Sequence, residues 1–468
     1  MSKGQELAKN TTIITVSRMS TQVMSFLLLP VYTTLLTTAD YGIVDLFYSI
    51  IAFLTPLVSL QLESAVFRFL VPVRKDEDKK KVYISTALTG VIIQTLISMV
   101  ILLLISLLLQ IEYTYFLVIN LAIHIVTMSL LQVSRGLGDN LSYALGNTIM
   151  SISMLIFNIF FVVFVKMGAP GMLISYFLSN LLSALFIFFR KKVYSYFSIK
   201  NINYSDYKEL LNYSLPLVPN ALSWWAISTS DRGIISAILG VSANGIYATA
   251  NKFSGIYMNF YNIFNLAWTE SASLYIDSED RDEFFNDTID KMFRIFFSLV
   301  LGIIAFMPFV FPAMINEKFA DAYNHIPILL IGSLFNVIIG LISVVYIGLK
   351  LTKKIANTSI YAGIINVVIH ILLIRYIGLY AASISTLISY FILMVIRYID
   401  VQKYLKLRFR FPVIFSAIIV LIVILCIYYT HNFYLNIIAA IISIVYAIVV
   451  NRQMINYGIE IISQRFKK

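Results

Sequence analysis

The chain has 468 residues, of which 59% are hydrophobic and only 13% are charged, and its mean hydropathy is +0.85. About a quarter of the residues of an average soluble domain are charged, so this composition excludes a soluble globular protein and indicates a polytopic helical membrane protein. A formal net charge of +11 would suggest nucleic-acid binding in a soluble protein, but here membrane topology explains the basic residues better. The single cysteine, Cys426, lies in an apolar run and excludes an intrachain disulfide.

Fourteen apolar runs have the length needed to cross a bilayer, which is about 17–25 residues for a helix. A polar segment, residues 1–10, precedes the first run without a small-residue cleavage site, so we expect the first helix to be retained. The predicted spans have these approximate limits: 11–36, 43–73, 82–109, 113–134, 141–166, 170–189, 214–236, 243–275, 292–315, 325–348, 357–375, 377–398, 413–429 and 433–450.

Lysine and arginine are concentrated in alternate loops, with large groups at 74–81, 190–208 and 397–410. The loops on the opposite side hold only Lys166, Lys318 and Arg375. Cytoplasmic loops of membrane proteins carry an excess of these residues, so the sequence predicts that both termini are cytoplasmic.

The two halves of the chain share a pattern between consecutive spans. Residues 36–43 (LTTADYGI) join spans 1 and 2, and residues 239–246 (LGVSANGI) join spans 7 and 8. With six spans in each half, this pattern predicts parallel repeats related by an axis along the membrane normal. We therefore predict an all-α membrane protein of fourteen transmembrane helices. Two pseudo-symmetric six-helix lobes enclose a central cavity, and spans 13 and 14 follow them; the three segments are 1–200, 201–400 and 401–468.

Charged residues inside the predicted spans are the candidate functional residues. A charge in hydrocarbon costs at least ~2.5–3.5 kcal/mol, so such a residue is expected to face a partner or a water-filled cavity. The cations are Arg18, Arg68, Arg232 and Lys252, and the anions are Asp45, Glu63, Asp231 and Glu270.

Depth within the membrane suggests partners for these charges. At about 1.5 Å per residue, Arg18 and Glu63 lie roughly 12 and 15 Å from the cytoplasmic ends of spans 1 and 2, which favours an ion pair between them. Asp231, Arg232 and Glu270 lie near span ends, where the alternative of a purely structural ion pair stays open.

Several chemical signatures are absent from the sequence. It contains no Gly-x-x-x-x-Gly-Lys-Ser/Thr phosphate loop, no His-Glu-x-x-His motif and no paired cysteines. The predicted outer loops are too short for an external catalytic domain. We therefore expect neither enzymatic activity nor a bound metal, and we expect the mid-span His124 to be a hydrogen-bonded core residue.

Five segments carry a resemblance to a known family: 10–18 (NTTIITVSR), 25–32 (SFLLLPVY), 41–43 (YGI), 231–235 (DRGII) and 245–252 (GIYATANK). With these segments the chain resembles the polysaccharide-repeat-unit (Wzx-type) flippases of the multidrug, oligosaccharidyl-lipid and polysaccharide exporter superfamily. The resemblance implies a V-shaped exporter of the bacterial cytoplasmic (inner) membrane. Such a protein moves an undecaprenyl-pyrophosphate-linked oligosaccharide to the outer leaflet by alternating access, for O-antigen, capsule or exopolysaccharide synthesis. It implies membrane lipids and the polymerase and chain-length proteins of the pathway as partners, and no nucleic acid.

The resemblance also implies roles for the intramembrane charges. A pyrophosphate headgroup carries about two negative charges, and Arg18, Arg68, Arg232 and Lys252 can bind it in a cavity of low dielectric constant. The acids neutralise these cations in the empty site or carry a coupling proton or sodium ion; they are Glu63, Asp231, Glu270 and Asp45. No other cofactor is implied. Spans 13 and 14 either hold the polyprenyl tail or serve as a simple anchor.

Other functions compete with this interpretation. An ion-coupled multidrug exporter of the same superfamily is expected to have twelve spans and a cavity lined by carboxylates, so fourteen spans and four cations favour the flippase. Lipid-II flippases share the pair Ser17-Arg18, but Thr21 and Met24 depart from their pattern and argue against a peptidoglycan precursor as substrate. A non-transporting scaffold of a polysaccharide assembly complex would not require buried charges.

Overall fold

The computed structural model describes residues 26, 28–109, 113–349, 351–408 and 410–456, and within these ranges the chain forms helices and loops without β-strands. Arg18 and most of predicted span 1 lie outside the described residues. In chain order the α-helices are α1 (Leu29–Leu35), α2 (Thr38–Ser59), α3 (Leu62–Leu70), α4 (Glu77–Leu109), α5 (Thr114–Gly136), α6 (Asn140–Asn158), α7 (Ala169–Arg190), α8 (Val193–Tyr196), α9 (Tyr204–Ser214), α10 (Leu217–Ser228), α11 (Ser230–Ile238), α12 (Val241–Tyr275), α13 (Arg281–Met314), α14 (Ala322–Gly348), α15 (Thr352–Ile377), α16 (Tyr380–Val401), α17 (Phe411–Tyr428) and α18 (Phe433–Val450).

The predicted all-α membrane fold is confirmed. Among the described residues, eleven helices are long and apolar enough to cross a membrane, and they match predicted spans 2–6 and 9–14. Span 8 is the 35-residue helix α12, which is not one of these eleven. The chain is therefore a multi-pass membrane protein.

Close contacts divide the chain into two compact units, one up to Gly245 and the other from Ile246. The division into segments 1–200, 201–400 and 401–468 stays a prediction.

Hydrogen bonds between side chains and backbone join the helices of the first unit. Ser183 on α7 donates to the Gly146 carbonyl on α6 at 2.9 Å, and Asn120 on α5 donates to the Leu173 carbonyl on α7 at 3.2 Å. His124 is hydrogen-bonded to the Tyr176 hydroxyl at 2.8 Å, as expected for a core histidine. Such bonds satisfy polar groups that lipid cannot hydrate.

The second unit is built around α14, the most buried of the eleven candidate spans. Helix α16 packs against both α14 and α15, while α17 and α18 pack against α13. Asn451, next to the end of α18, donates to the Ser298 hydroxyl of α13 at 3.0 Å. The two C-terminal spans are thus held to this unit by a polar contact as well as by apolar packing.

Predicted span 2 is not a continuous helix, which corrects the sequence-based limits of 43–73. Leu60 and Gln61 both have left-handed backbone angles, with φ of 49° and 59°, and they separate α2 from α3. The left-handed conformation costs roughly 1–2 kcal/mol for such residues. The Ser59 hydroxyl accepts a hydrogen bond from the Gln61 backbone N–H at 3.1 Å. This bond replaces one of the helix hydrogen bonds that the break interrupts.

Predicted span 7 is also broken, since Thr229, with φ of −144°, separates α10 from α11. A further correction concerns residues 37–42, which the sequence analysis left between predicted spans 1 and 2. Helix α2 begins inside this segment because Thr37 and Asp40 form a capping box, each side chain accepting the backbone N–H of the other.

The sequence analysis counted Arg397 with the basic loop group 397–410, at the very end of predicted span 12, but it lies in α16 and is 3% exposed. Its guanidinium donates to four neutral groups, at distances between 2.6 and 3.1 Å: the hydroxyls of Thr358, Ser343 and Ser359 and the carbonyl of Ile355. One arginine therefore joins α14, α15 and α16.

We predict that Arg397→Ala lowers the stability of the second unit by roughly 2 kcal/mol, because the neutral acceptors lose a charged donor. Arg375→Ala is the matched control, because Arg375 is exposed in the last turn of α15. Thermal unfolding of the detergent-solubilised full chain measures both. Equal unfolding temperatures for the two variants would contradict the assigned role of Arg397.

Candidate functional site

One face of α2 packs against α10, α11 and the start of α12 within the first unit. This face is formed by Gly42, Asp45, Ser49 and Phe53, which recur every three or four residues and therefore lie on one side of the helix. We call this contact the α2 interface. According to the predicted topology, the Gly42 end of the interface is its outer end.

Two helix backbones cross at the outer end of the α2 interface. Gly42 is the fifth residue of α2, and Gly245 is the fifth residue of α12. A Cβ atom on Gly42 would overlap the Val241 carbonyl, and one on Gly245 would overlap the Thr38 carbonyl. The two copies of the repeated pattern thus meet reciprocally, at a spacing that only glycine permits.

An ion pair lies about one turn along α2 from the crossing. The Arg232 Nε donates to Asp45 Oδ2 at 3.3 Å, and its Nη1 donates to the Ser228 carbonyl at 2.8 Å. The Arg232 and Asp45 side chains are only 14% and 18% exposed. Because little water reaches the pair, the attraction between the two charges is stronger than on an open surface.

Polar bonds continue along the same face. The Ser49 carbonyl accepts from Trp225 Nε1 at 2.9 Å, and the Ser49 hydroxyl donates to the Thr229 carbonyl at 3.2 Å. The second of these bonds occupies a carbonyl at the break between α10 and α11. The Phe53 ring contacts the Trp225 ring, with their centroids 4.6 Å apart. From the Gly42 end to the Phe53 end, the α2 interface therefore consists of a backbone crossing, then polar contacts and then aromatic packing.

Two predicted acids begin the second halves of the broken spans. Glu63 lies in the first turn of α3, directly after the Leu60–Gln61 break, and Asp231 lies in the first turn of α11, after Thr229. They are 8% and 3% exposed. The partial positive charge of a helix N-terminus stabilises a carboxylate at this position, which reduces the cost of burial. Glu63 Oε2 has no hydrogen-bond partner among the described residues.

The remaining predicted residues are spread more widely. Arg68 is exposed in the last turn of α3, Lys252 is half-buried on α12, and Glu270 is exposed near the end of α12. Arg18 lies outside the described residues, so its predicted pairing with Glu63 stays a prediction. Within the described ranges, no group of three or more His, Cys, Asp and Glu side chains is arranged to hold a metal ion.

The sequence analysis missed the partnership of Asp45 with Arg232 and both helix breaks. A signal for the partnership was available, because both residues lie near the predicted outer ends of their spans. The break at Thr229 falls inside Ser228-Thr229-Ser230, and hydroxyl side chains compete with helix hydrogen bonds.

We predict that Gly42→Ala separates α2 from the start of α12 and destabilises the first unit by about 1–3 kcal/mol, because the new methyl group overlaps backbone atoms. Gly233→Ala is the matched control, since a Cβ atom there meets nothing within 4 Å. Thermal unfolding of both variants tests this. Equal stability of the two variants would argue against a close crossing.

We predict a coupling energy of about 1–3 kcal/mol between Asp45 and Arg232. The measurement is the stability of Asp45→Arg, Arg232→Asp and the double variant, in which the exchanged charges attract again. The exposed pair Lys291–Asp287 serves as control, with an expected coupling of about 0–1 kcal/mol. A coupling no larger than that of the control would mean that Asp45 and Arg232 contribute little as a pair.

Comparison with known proteins agrees with this architecture. The structure is similar to an inward-facing multidrug resistance MATE family transporter of the MOP superfamily, with a TM-score of 0.68 and 14% identity over 83% of this chain and 97% of that chain. It is similar to lipid II flippase MurJ in an inward closed conformation, with a TM-score of 0.67 and 16% identity; the match covers 96% of this chain and 100% of that chain. An outward-facing multidrug resistance MATE family transporter matches with a TM-score of 0.58 and 16% identity; the match covers 84% of this chain and 95% of that chain.

At these identities the structural matches establish the fold, which is that of MOP-superfamily transporters. No curated protein matches the sequence. The model of one family, described as polysaccharide biosynthesis protein, matches residues 7–269, which is more than half of the chain. The chain belongs to this polysaccharide biosynthesis protein family.

Proposed function

We propose that this protein is a flippase for an undecaprenyl-pyrophosphate-linked oligosaccharide repeat unit. It moves the repeat unit from the inner to the outer leaflet of the bacterial cytoplasmic membrane by alternating access, and it serves the synthesis of O-antigen, capsule or exopolysaccharide. Three findings support the proposal: the polysaccharide biosynthesis family, the MOP-superfamily fold and the partly buried ion pair of the α2 interface.

The polar composition of the α2 interface is the observation that carries the proposal. Alternating access requires an outer contact with a closed and an open state of similar free energy. Hydrogen bonds and an ion pair at the outer ends of helices exchange their partners for water when the contact opens, so opening has a small net cost. A deep interdigitation of large apolar side chains would resist opening more strongly.

The ion pair also connects this contact to an anionic substrate. In the closed state Asp45 neutralises Arg232. A pyrophosphate group that binds Arg232 competes with Asp45 for the guanidinium and so weakens the closed contact. In this proposal Arg18, Arg68 and Lys252 provide the other positive charges, and the substrate shifts the equilibrium towards the open state.

Glu63 is the acid best suited to a coupling ion. Its carboxyl group is buried, and one of its oxygens has no hydrogen-bond partner among the described residues. Proton or sodium binding removes the cost of a buried negative charge. Asp231, Glu270 and Asp45 act as charge partners in this proposal.

The other parts of the chain have simpler roles. Spans 13 and 14 present apolar side chains such as Phe415, Ile422 and Ile441 outward, which suits either contact with the polyprenyl tail or anchoring in lipid. Both termini are cytoplasmic, and the polymerase and chain-length proteins of the pathway are the expected partners. The protein itself makes and breaks no covalent bond in this proposal.

We predict that Arg18→Glu lowers surface polymer roughly tenfold or more, because one charge-assisted contact contributes about 1.5–3 kcal/mol to binding. Arg18→Lys keeps the charge and is expected to retain part of the activity. Arg375→Glu is the matched control, because it reverses an exposed charge at the predicted outer end of α15. The measurement is polymer on cells that produce equal amounts of each variant in place of the native protein.

Other outcomes identify the competing functions. Normal polymer with Arg18→Glu, in cells that lose polymer when the whole protein is absent, indicates a scaffold. If Arg18→Glu cells have unchanged surface polymer but lose their tolerance to cationic drugs, the protein is a multidrug exporter. Accumulation of lipid-linked repeat units in the inner leaflet of Arg18→Glu cells supports the flippase.

A further inference from the structure

We propose that the first unit carries a binding site for the headgroup of an anionic phospholipid, separate from the α2 interface. The site is formed by Arg74, Arg135, Arg190 and Lys191 around the turn 136–139 between α5 and α6. This turn lies at the end of the unit that the sequence predicts to be cytoplasmic.

Arg190 and Lys191, at the C-terminus of α7, are tied to the start of α6. Arg190 Nε donates to the Ser142 hydroxyl at 2.7 Å, and Lys191 Nζ donates to Asp139 Oδ2 at 3.0 Å. Ser142 in turn donates to both Asp139 oxygens, from its N–H at 2.8 Å and from its hydroxyl at 2.7 Å. Because the Nε bond orients the guanidinium, the terminal nitrogens of Arg190 are held at an exposed position before a ligand binds.

Arg74 and Arg135 hold the other side of the turn. Arg74 donates to the last carbonyls of α5, from Nε to Gly136 at 2.9 Å and from Nη2 to Arg135 at 3.3 Å. The Arg135 guanidinium lies over the ring of Phe67 at 4.4 Å and near the ring of Tyr143 at 5.9 Å. Ring faces and a helix C-terminus stabilise cations without neutralising them.

The charge balance leaves this cluster positive. The described residues of the site and of the turn 136–139 include one acid, Asp139, and four cations. Partial burial acts to raise the pKa of the Asp139 carboxyl, but the bonds from Ser142 and Lys191 outweigh it and keep the pKa below its usual value. Asp139 is thus a carboxylate that offsets a single positive charge. Three further acids, Asp76, Glu77 and Asp78, follow Arg74 in the sequence, but four lysines accompany them (Lys75, Lys79, Lys80 and Lys81), and Glu77 is paired with Lys80 at 2.5 Å.

Apolar side chains extend from this cluster along the outside of the unit. Leu141 and Leu145 are exposed on α6, and Leu182, Leu185 and Phe189 are exposed on α7. They lie one turn apart on their helices and so form stripes that run from the cations into the membrane. The cations match the charged headgroup of a phospholipid, and the apolar stripes match its acyl chains.

The position of the cluster favours a lipid over a soluble anion or an acidic peptide. Phe189, directly before Arg190, is 63% exposed, which places the cation at the edge of the hydrocarbon. The cytoplasmic leaflet is rich in anionic lipid, and each Lys or Arg near its surface contributes about 1 kcal/mol of attraction. Basic pockets between helices at this level are suited to anionic headgroups.

The test is the thermal stability of the detergent-solubilised full chain, titrated with short-chain phosphatidylglycerol or with phosphatidylcholine of the same chain length. We expect phosphatidylglycerol to raise the unfolding temperature more than phosphatidylcholine does. Arg190→Gln and Lys191→Gln should each weaken the apparent affinity for phosphatidylglycerol roughly fivefold. Lys353→Gln is the matched control, because it removes one exposed charge from the second unit at the same predicted membrane face, and its affinity should stay unchanged.

Arg190→Lys separates binding from folding, because it keeps the charge and loses the oriented bond to Ser142. It should bind phosphatidylglycerol with an affinity between those of the native chain and Arg190→Gln. Equal stabilisation by the two lipids would overturn the proposal, as would equal effects of Arg190→Gln and Lys353→Gln. Stabilisation by inorganic phosphate to the same extent would assign the cluster to a free anion instead. These readouts do not depend on transport, so a failure here leaves the proposed flippase activity intact.

Discussion

The close approach of two helix backbones at Gly42 and Gly245 is the constraint on which the α2 interface depends. At this separation the Ser49 and Asp45 side chains of α2 reach Thr229 and Arg232. The Asn244 side chain adds a bond to the Gly42 carbonyl at 2.8 Å. In a membrane there is little hydrophobic driving force between helices, so close backbone packing and polar bonds account for most of their association.

Broken helices explain how acids are tolerated inside apolar spans. Glu63 and Asp231 each follow a break and lie in the first turn of a new helical segment, whose N-terminus carries a partial positive charge. The breaks therefore do more than bend the spans. They create the local positive potential that a buried negative charge requires, in an environment where water is scarce.

The sequence predicts the membrane class, eleven of the spans and the matching segments around Gly42 and Gly245, because apolar length and glycine placement are local properties. It does not predict the break at Leu60 and Gln61, since neither residue is a glycine or proline, the residues that usually mark such a break. The partnership of Asp45 with Arg232 joins residues far apart in the chain, and a list of charges does not show which of them meet. Arg397 was counted with the loop cations because its charge suggests contact with water, whereas hydroxyl groups from two neighbouring helices replace that water.

The surroundings of Arg397 have a consequence for how the contacts between the helices of the second unit depend on pH. Its guanidinium is held by alcohols and one peptide carbonyl, and these groups neither gain nor lose protons in the physiological range. These four bonds of Arg397 should therefore keep the same geometry across the physiological pH range, whereas the neighbouring bonds of Asp400 to Lys354 and to the Tyr346 hydroxyl involve an ionisable carboxylate. The bonds of Arg397 can thus hold the three helices together without a change of protonation.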